Sequence, residues 1–554
     1  MIREFIVKSI NDAIHENIKE KVFISDTIPD IMLEIPKEEK FGNFSTNIGF
    51  LLSKSLKKNP RDIAEKIIKK INKKDVINEI KIEGPGFINI FLRDEVYLKV
   101  LIQILNEKES YGKSSLKKEG KINLEFVSVN PTGPVHVAHG RWASVGDSLA
   151  NLLEFAGYNV SREYYVNDYG AQIDLLARSV EARYLQIKGA ESEFPEDGYQ
   201  GNYITDFARE IAANDNDVYL NMILSERFEK LKDISVKRML DDIKKVMINA
   251  RVNFDTYFSE NSLHDRGEID KIFNEICTND LAYKKDGAWW FKTSEFYDDK
   301  DRVIKKENGE TTYFLSDIAY HINKLERGFS KLINIWGADH HSHVARMQSA
   351  LKAFNFEKNT LEVLLGQLVN LIKDGQPVKM SKRAGNIVTF QELIDEVGID
   401  AVRFLFITRS INSHLDFDID LAKQRSSENP VYYVQYAHAR ICSLNKKAVS
   451  EGIVIENINF DCIKRLNLKD DINLIGKLES FPYLIEEFAE KYEPHHLTFY
   501  LGELASEFHS YYNKNMILQD DMELAAARLL LMNCIKIVIS NGLRILGVSS
   551  PESM

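Results

Sequence analysis

A chain of 554 residues, 44% apolar and 28% charged, holds material for roughly three or four buried cores of the usual ~100 to 200 residues, which excludes a lone binding module and a disordered or collagen-like chain. Its 72 basic and 83 acidic residues leave a net charge of -11, so the surface as a whole is not built to wrap nucleic acid, and with no apolar run approaching ~18 residues and a charged start a membrane span and secretion are not expected. Four scattered cysteines, 277, 442, 462 and 534, none in a CxxC pair, fit a reducing cytoplasm and offer no structural zinc site.

Residues 1–118 read as a small α+β module: a helix over 1–21, a loop at 40–44, a second helix over 51–58, and Gly84-Pro85-Gly86 turning into a strand through Ile90. This segment carries 22 Lys and Arg against 18 Asp and Glu, a local positive balance that points to polyanion contact. A Lys-rich linker follows over 109–120. Residues 122–129 then alternate like a strand, which Asn130-Pro131-Thr132-Gly133-Pro134 cannot continue. A helix from about His139 to Phe155 closes at Gly157, and a strand over 159–166 completes a βαβ unit, which demands a parallel sheet. The polar, helix-like stretch 181–297 reads as an insertion. A second unit comes with a strand over 331–336, the turn Gly337-Ala338-Asp339 and a helix over 341–354; from Leu421 onward the apolar spacing is helical throughout, a bundle of about 130 residues.

Two motifs carry chemistry. His136-Val137-Ala138-His139 sits between a strand and a helix start, where free backbone N–H groups and the helix dipole attract phosphate. Its two histidines at i and i+3 can both donate to phosphate oxygens, although a capped helix start would look the same; the spacing does not suit a zinc protease helix. After the Asp374-Gly375 hairpin signal, Lys379-Met380-Ser381-Lys382-Arg383-Ala384-Gly385-Asn386 packs three cations into five residues ahead of a glycine, an anion-binding loop or a solvated charge run. Thr389 with Glu392 reads as a capping box for the next helix.

In order and separation these motifs resemble the HIGH-type and KMSKS-type signatures of class I aminoacyl-tRNA synthetases. The runs 125–136, 167–172 and 433–440, the ending 546–554, and the N-terminal Phe41-Gly42-Asn43-Phe44 and Gly84-Pro85-Gly86-Phe87 resemble the arginyl-tRNA synthetases over essentially the whole chain. The resemblance implies an α/β protein in three parts: an α+β N-terminal domain (1–118) that touches the outer corner of tRNA, a Rossmann-like parallel-sheet catalytic domain (119–420), and an all-α anticodon-binding bundle (421–554). It implies ATP with Mg2+ as the nucleotide, L-arginine and the tRNA specific for arginine as partners, no protein-bound zinc, no DNA or membrane partner, and a cytoplasmic monomer.

By the same resemblance His136, His139, Lys379 and Lys382 are catalytic; Pro134, Ala138, Gly140, Asp339, Met380 and Ser381 complete the ATP site; and Asn130, Glu260, Tyr313, Asp317 and Gln172 line the arginine site. Carboxylates suit a guanidinium because they accept planar, bidentate hydrogen bonds. Asp317 reads alternatively as the cap of a helix beginning near Ile318, and Glu260 as a member of a polar turn. Position 138 is Ala where the signature has Gly, and Lys379-Met380-Ser381-Lys382 is complete. The cluster Asp339-His340-His341-Ser342-His343 is not read as a metal site, because neighbouring helical histidines diverge. Tyr432, Tyr433 and Tyr436 read as bundle core, with one or two able to stack on anticodon bases. Two rivals are a small-molecule nucleotidylyltransferase and a catalytically silent RNA-binding relative.

Overall fold

A computed structural model describes residues 2–25, 27–34, 36, 38–378, 388–453 and 458–554. The chain divides into two units: Met1–Lys108 with Leu444–Ser480 and Glu507–Ile537, and Glu109–Ser443 with Phe481–Ser506 and Val538–Met554.

In the first unit, helix α1 (Ile2–Lys19) buries Ile6, Ile10, Ala13 and Ile14, spaced three and four apart along one face. Strand β1 (Phe44–Thr46) leads into α2 (Ile48–Leu56), which starts before the expected 51–58 helix and stops at Lys57 in a left-handed conformation. Helix α3 (Pro60–Ile68) is separate, because Pro60 cannot continue a helix but fits its first turn, where Asn59 accepts from the Arg61 N–H. Strands β2 (Ile77–Glu83) and β3 (Phe87–Leu92) complete an antiparallel sheet of order β1-β3-β2, and α4 (Asp94–Glu107) follows.

The second unit opens with β4 (Lys121–Glu125), α5 (Val137–Phe155), β5 (Asn159–Val166), α6 (Ala171–Ile187), α7 (Asn202–Asn214), α8 (Leu224–Asn249) and β6 (Thr256–Ser259). Next come α9 (Asn261–Asp265), α10 (Glu268–Thr278), the small antiparallel sheet β7 (Ala282–Lys285), β8 (Ala288–Phe291) and β9 (Arg302–Lys305), α11 (Tyr313–Glu326), β10 (Lys331–Gly337), α12 (His341–Ala353) and β11 (Leu361–Gly366). β12 (Val369–Lys373) and β13 (Gln376–Pro377) form the hairpin, with Asp374 and Gly375 at φ 52° and 69°. α13 (Phe390–Val397), α14 (Ile399–Ile407), β14 (Leu415–Asp418) and α15 (Ile419–Lys423) follow.

The main sheet is parallel with order β11-β10-β4-β5-β6. β4 is central, and the chain leaves it toward β5 on one side and returns as β10 on the other, so a crevice opens at their carboxyl ends. The stretch 181–297 supplies β6, an edge of this sheet, besides helices. β4 is shorter than the expected 122–129 strand. Val127 and Ser128 have φ of 69° and 41°, and the Tyr165 N–H bonds to the Ser128 hydroxyl (3.0 Å) rather than to a ladder carbonyl. A β-branched residue rarely adopts that region, so alternation alone could not reveal the turn.

Among the described residues four α-helices end the chain: α16 (Pro430–Ser450), α17 (Lys469–Glu490), α18 (His495–Lys514) and α19 (Met522–Ile545); each contributes residues to both units. Among the described residues no helix is long and apolar enough to cross a membrane.

Candidate active site

The carboxyl ends of β4, β5, β6 and β10 gather most of the side chains singled out in the sequence. After β4, His136 is the N-cap of α5, and its side chain accepts from the Ala138 N–H at 3.2 Å. The capping nitrogen is Nδ1, so a neutral His136 carries its proton on Nε2. His139 follows one turn on, its ring centroid 6.2 Å from that of His136 and 5.1 Å from that of Trp142. Pro134 is exposed, whereas Ala138 and Gly140 are buried. Gly140 is obligatory for packing: a Cβ there would lie 2.3 Å from the Phe390 ring. Phe390 in turn donates its N–H to Val135 O at 2.8 Å, and Thr389 bridges to His136. The Thr389–Glu392 capping box is formed as expected. Residues just after the Lys379–Asn386 motif are thereby fastened to the histidine motif. Lys379, Met380, Ser381 and Lys382 themselves lie outside the described residues.

Asn130, on the turn after β4, donates to Gln172 Oε1 at 2.6 Å, so these two candidates touch. Gln172 is in the first turn of α6, which Gly170 enters at φ 91°. Asp168, after β5, accepts from the Ser259 hydroxyl (2.6 Å) and the Asn261 N–H (2.9 Å), tying the end of β5 to that of β6.

Glu260 follows β6 and is only 3% exposed. With its amide nitrogen turned toward the carboxylate, Asn167 donates to Glu260 Oε2 at 2.9 Å. Burial, with the negative charges of Asp317 and Asp168, pushes the Glu260 carboxyl up to about 7, against a hydrogen bond from Tyr165 that holds it down. Asp317 therefore lies close enough for its charge to act on Glu260. It is not a helix cap: α11 begins at Tyr313 with Thr312 as N-cap, so Asp317 lies in the second turn, and its Oδ2 is 2.8 Å from His343 Nε2. The helix starts earlier than expected because Thr312, in extended conformation, ends the segment that pairs with β9. Tyr313, 67% exposed, opens the same helix four residues before Asp317. Asp339, after β10, is exposed and 3.7 Å from His340.

His343 was missed as a partner of Asp317. Their contact joins residues 26 apart on two successive helices, and no local spacing announces it. Among the described residues the group of three His, Cys, Asp or Glu side chains that converges within 4.8 Å is Glu493, His495 and His496, not the 339–343 cluster. In α16 the Tyr432 and Tyr436 rings are 6.1 Å apart and near parallel, and Tyr436 is exposed.

Three family descriptions match the chain: the arginyl tRNA synthetase N terminal domain over residues 8–92, the class I (R) tRNA synthetase catalytic domain over 100–410, and the DALR anticodon binding domain over 434–554. An arginine–tRNA ligase of Bacillus licheniformis is 45% identical over 99% of this chain and 100% of its own length. A Campylobacter jejuni structure described as a putative arginyl tRNA synthetase is 34% identical, with a TM-score of 0.76 over 84% of this chain and 100% of its own. Thermus thermophilus arginyl-tRNA synthetase, at 20% identity, shares the fold with a TM-score of 0.78 over the full length of both chains.

Proposed function

The chain belongs to the class I arginine–tRNA ligases, and on that premise we propose how its residues divide the work of joining arginine to its tRNA. ATP with Mg2+ supplies the activation. An oxygen of the arginine carboxylate attacks the α-phosphorus in line and pyrophosphate leaves, giving arginyl-adenylate. A terminal ribose hydroxyl of the tRNA then attacks the carbonyl carbon, AMP departs, and the arginyl ester forms. No step needs a covalent enzyme intermediate, so the protein works by positioning and by stabilising charge.

The start of α5, with its dipole, the Nε2–H of His136 and His139, faces the phosphates. Pro134, Ala138, Gly140 and Asp339 border the nucleotide. Lys379 and Lys382, with Met380 and Ser381 between them, close over the leaving pyrophosphate. Magnesium is carried in by ATP. Asn130, braced by Gln172, takes the α-amino group. Glu260 and Asp317 take the guanidinium, with Tyr313 along its side.

The observation that carries this reading is the pairing of carboxylates: Glu260, almost fully buried, is raised to about 7 partly by Asp317. An acid raised by a neighbouring carboxylate is an unfavourable arrangement for a fold and a favourable one for a cation with two donor edges. The test is charging of bulk tRNA with each amino acid in turn, with citrulline as the neutral isostere of arginine. Arginine alone should be transferred, and citrulline hardly at all; comparable use of citrulline would refute the charge-reading site.

A further inference from the structure

Helix α11 bears Asp317, Tyr320, His321 and Lys324 at helical spacing, and this face lies over β4, β5 and β10. Lys324 has a side chain that is 0% exposed. Its Nζ donates to Glu125 Oε2 at 2.6 Å and to Asn334 Oδ1 at 3.2 Å, and lies 4.4 Å from the centre of the Tyr320 ring. A hydrogen-bonded line leaves Lys324 in each direction. One runs through Glu125, whose Oε1 accepts from the Ser128 hydroxyl at 3.1 Å, to the left-handed turn of Val127 and Ser128 that precedes Asn130. The other runs through Asn334 in β10, whose Nδ2 is 2.8 Å from His321 Nε2, while His321 Nδ1 is 2.7 Å from the carbonyl of Asp317. Only one tautomer of a neutral His321 satisfies both contacts, with the proton on Nδ1. Burial and the nearby Lys324 hold that histidine well below its usual range, so it stays neutral.

We propose that Lys324 is a positioning residue for arginine: it ties the turn that aims Asn130 to the helix that carries Tyr313 and Asp317, and so sets the distance between the α-amino and guanidinium ends of the site. The proposal rests on the assignment of those ends made above. A buried ion pair is weak evidence of a stabilising role, since apolar replacements of similar size often cost nothing. A continuous line between two parts of one site is what a ruler needs.

The experiment uses the full-length enzyme with its tRNA. Lys324→Met, Ser128→Ala and the double variant are compared for arginine KM, ATP KM, and preference for arginine over its homologue one methylene longer. Lys324→Met should raise arginine KM at least tenfold, leave ATP KM within threefold, and cut the length preference at least fivefold. Ser128→Ala should act in the same sense but less, and the double variant should be no worse than Lys324→Met, because both interrupt one line. Multiplicative losses, equal losses for ATP and arginine, or an unchanged length preference in Ser128→Ala would each overturn the proposal. If Lys324→Met does not fold, Lys324→Met with Glu125→Leu, which leaves no unpaired buried charge, is held to the same criteria. Asp317→Asn and Asn130→Ala run alongside. Should they leave arginine KM unchanged, the site assignment fails; should they raise it while the Lys324 and Ser128 variants do not, only the ruler fails.

Discussion

At the scale of single residues, the carboxyl of Glu260 decides the pH behaviour. Its folded-state value of about 7 exceeds the ordinary 4.5, so between these two the native protein holds a proton that the unfolded chain releases. Stability from this group therefore falls as pH rises through that window, and the cost is fully present above about 7. With Glu260 in its proposed place at the guanidinium, arginine binding runs the opposite way, because a guanidinium favours the ionised carboxyl. Arginine affinity is expected to weaken by about tenfold per pH unit below 7 and to level off above it. Calorimetry in buffers of different ionisation enthalpy should register proton release near pH 7, and Glu260→Gln should abolish that release. A flat profile in the native enzyme would show that the pocket never holds the neutral acid. On the proposed assignment Asp317 is the sharper determinant of specificity. Asp317→Asn should cost arginine about 2 to 5 kcal/mol, the range for breaking a buried charge pair from one side, while ATP KM is spared. Equal losses would mean that the residue matters through His343 and the packing of α12 instead. Lys382→Ala should slow activation about 10² to 10³-fold with little change in arginine KM, the pattern of a charge met chiefly in the transition state.

At the scale of elements, the proposed assignment has Ala138 and the start of α5 set how closely ATP can approach. Ala138→Gly should leave charging intact or tighten ATP, since it removes a methyl from a buried helix start. A large loss, measured as kcat/KM for ATP, would show that the methyl shapes the site. The same region shows what a sequence can and cannot disclose. β5 was legible to the residue at 159–166 and α5 nearly so, because their apolar periodicity and the Gly157 stop are local signals. β4 ended four residues early: the turn at Val127 and Ser128 is stabilised by a hydroxyl bonded across to β5 and to Glu125, contacts that no local pattern encodes. β6 was invisible for a similar reason, since a four-residue edge strand inside a polar stretch has too short a period to register. Resemblance supplied the identities of Glu260 and Asp317, but the burial of one and the His343 contact of the other are properties of the assembled sheet.

At the scale of the whole molecule, the test of tRNA's role must respect how the chain is apportioned. Phe481–Ser506 and Val538–Met554 belong to the unit that contains the parallel sheet. The buried Arg403 guanidinium bonds Leu546 O at 2.9 Å and Asp147 Oδ2 at 2.6 Å, so the C-terminal residues are part of that unit's core. Deleting 421–554 would then strip the catalytic unit itself, and loss of activity would say nothing about coupling. Substitutions on α16 are the cleaner instrument, because Tyr436 is exposed and its ring stacks on Tyr432 as unpaired bases stack on aromatic platforms. Arginyl-tRNA synthetases as a family resemble only a few others of class I in needing bound tRNA before they activate the amino acid. Binding energy from contacts far from the chemistry can be spent on positioning the reacting groups. ATP–pyrophosphate exchange with arginine should accordingly be negligible without tRNA and appear on adding tRNA specific for arginine, with a noncognate tRNA doing little. Tyr432→Ala with Tyr436→Ala should raise the tRNA concentration needed for half-maximal exchange about tenfold or more, on a stacking contribution of ~1 to 3 kcal/mol per base, and leave exchange at saturating tRNA near the native rate. Full exchange in rigorously tRNA-free enzyme would refute the coupling; an unchanged tRNA dependence in the double variant would remove the two tyrosines from it.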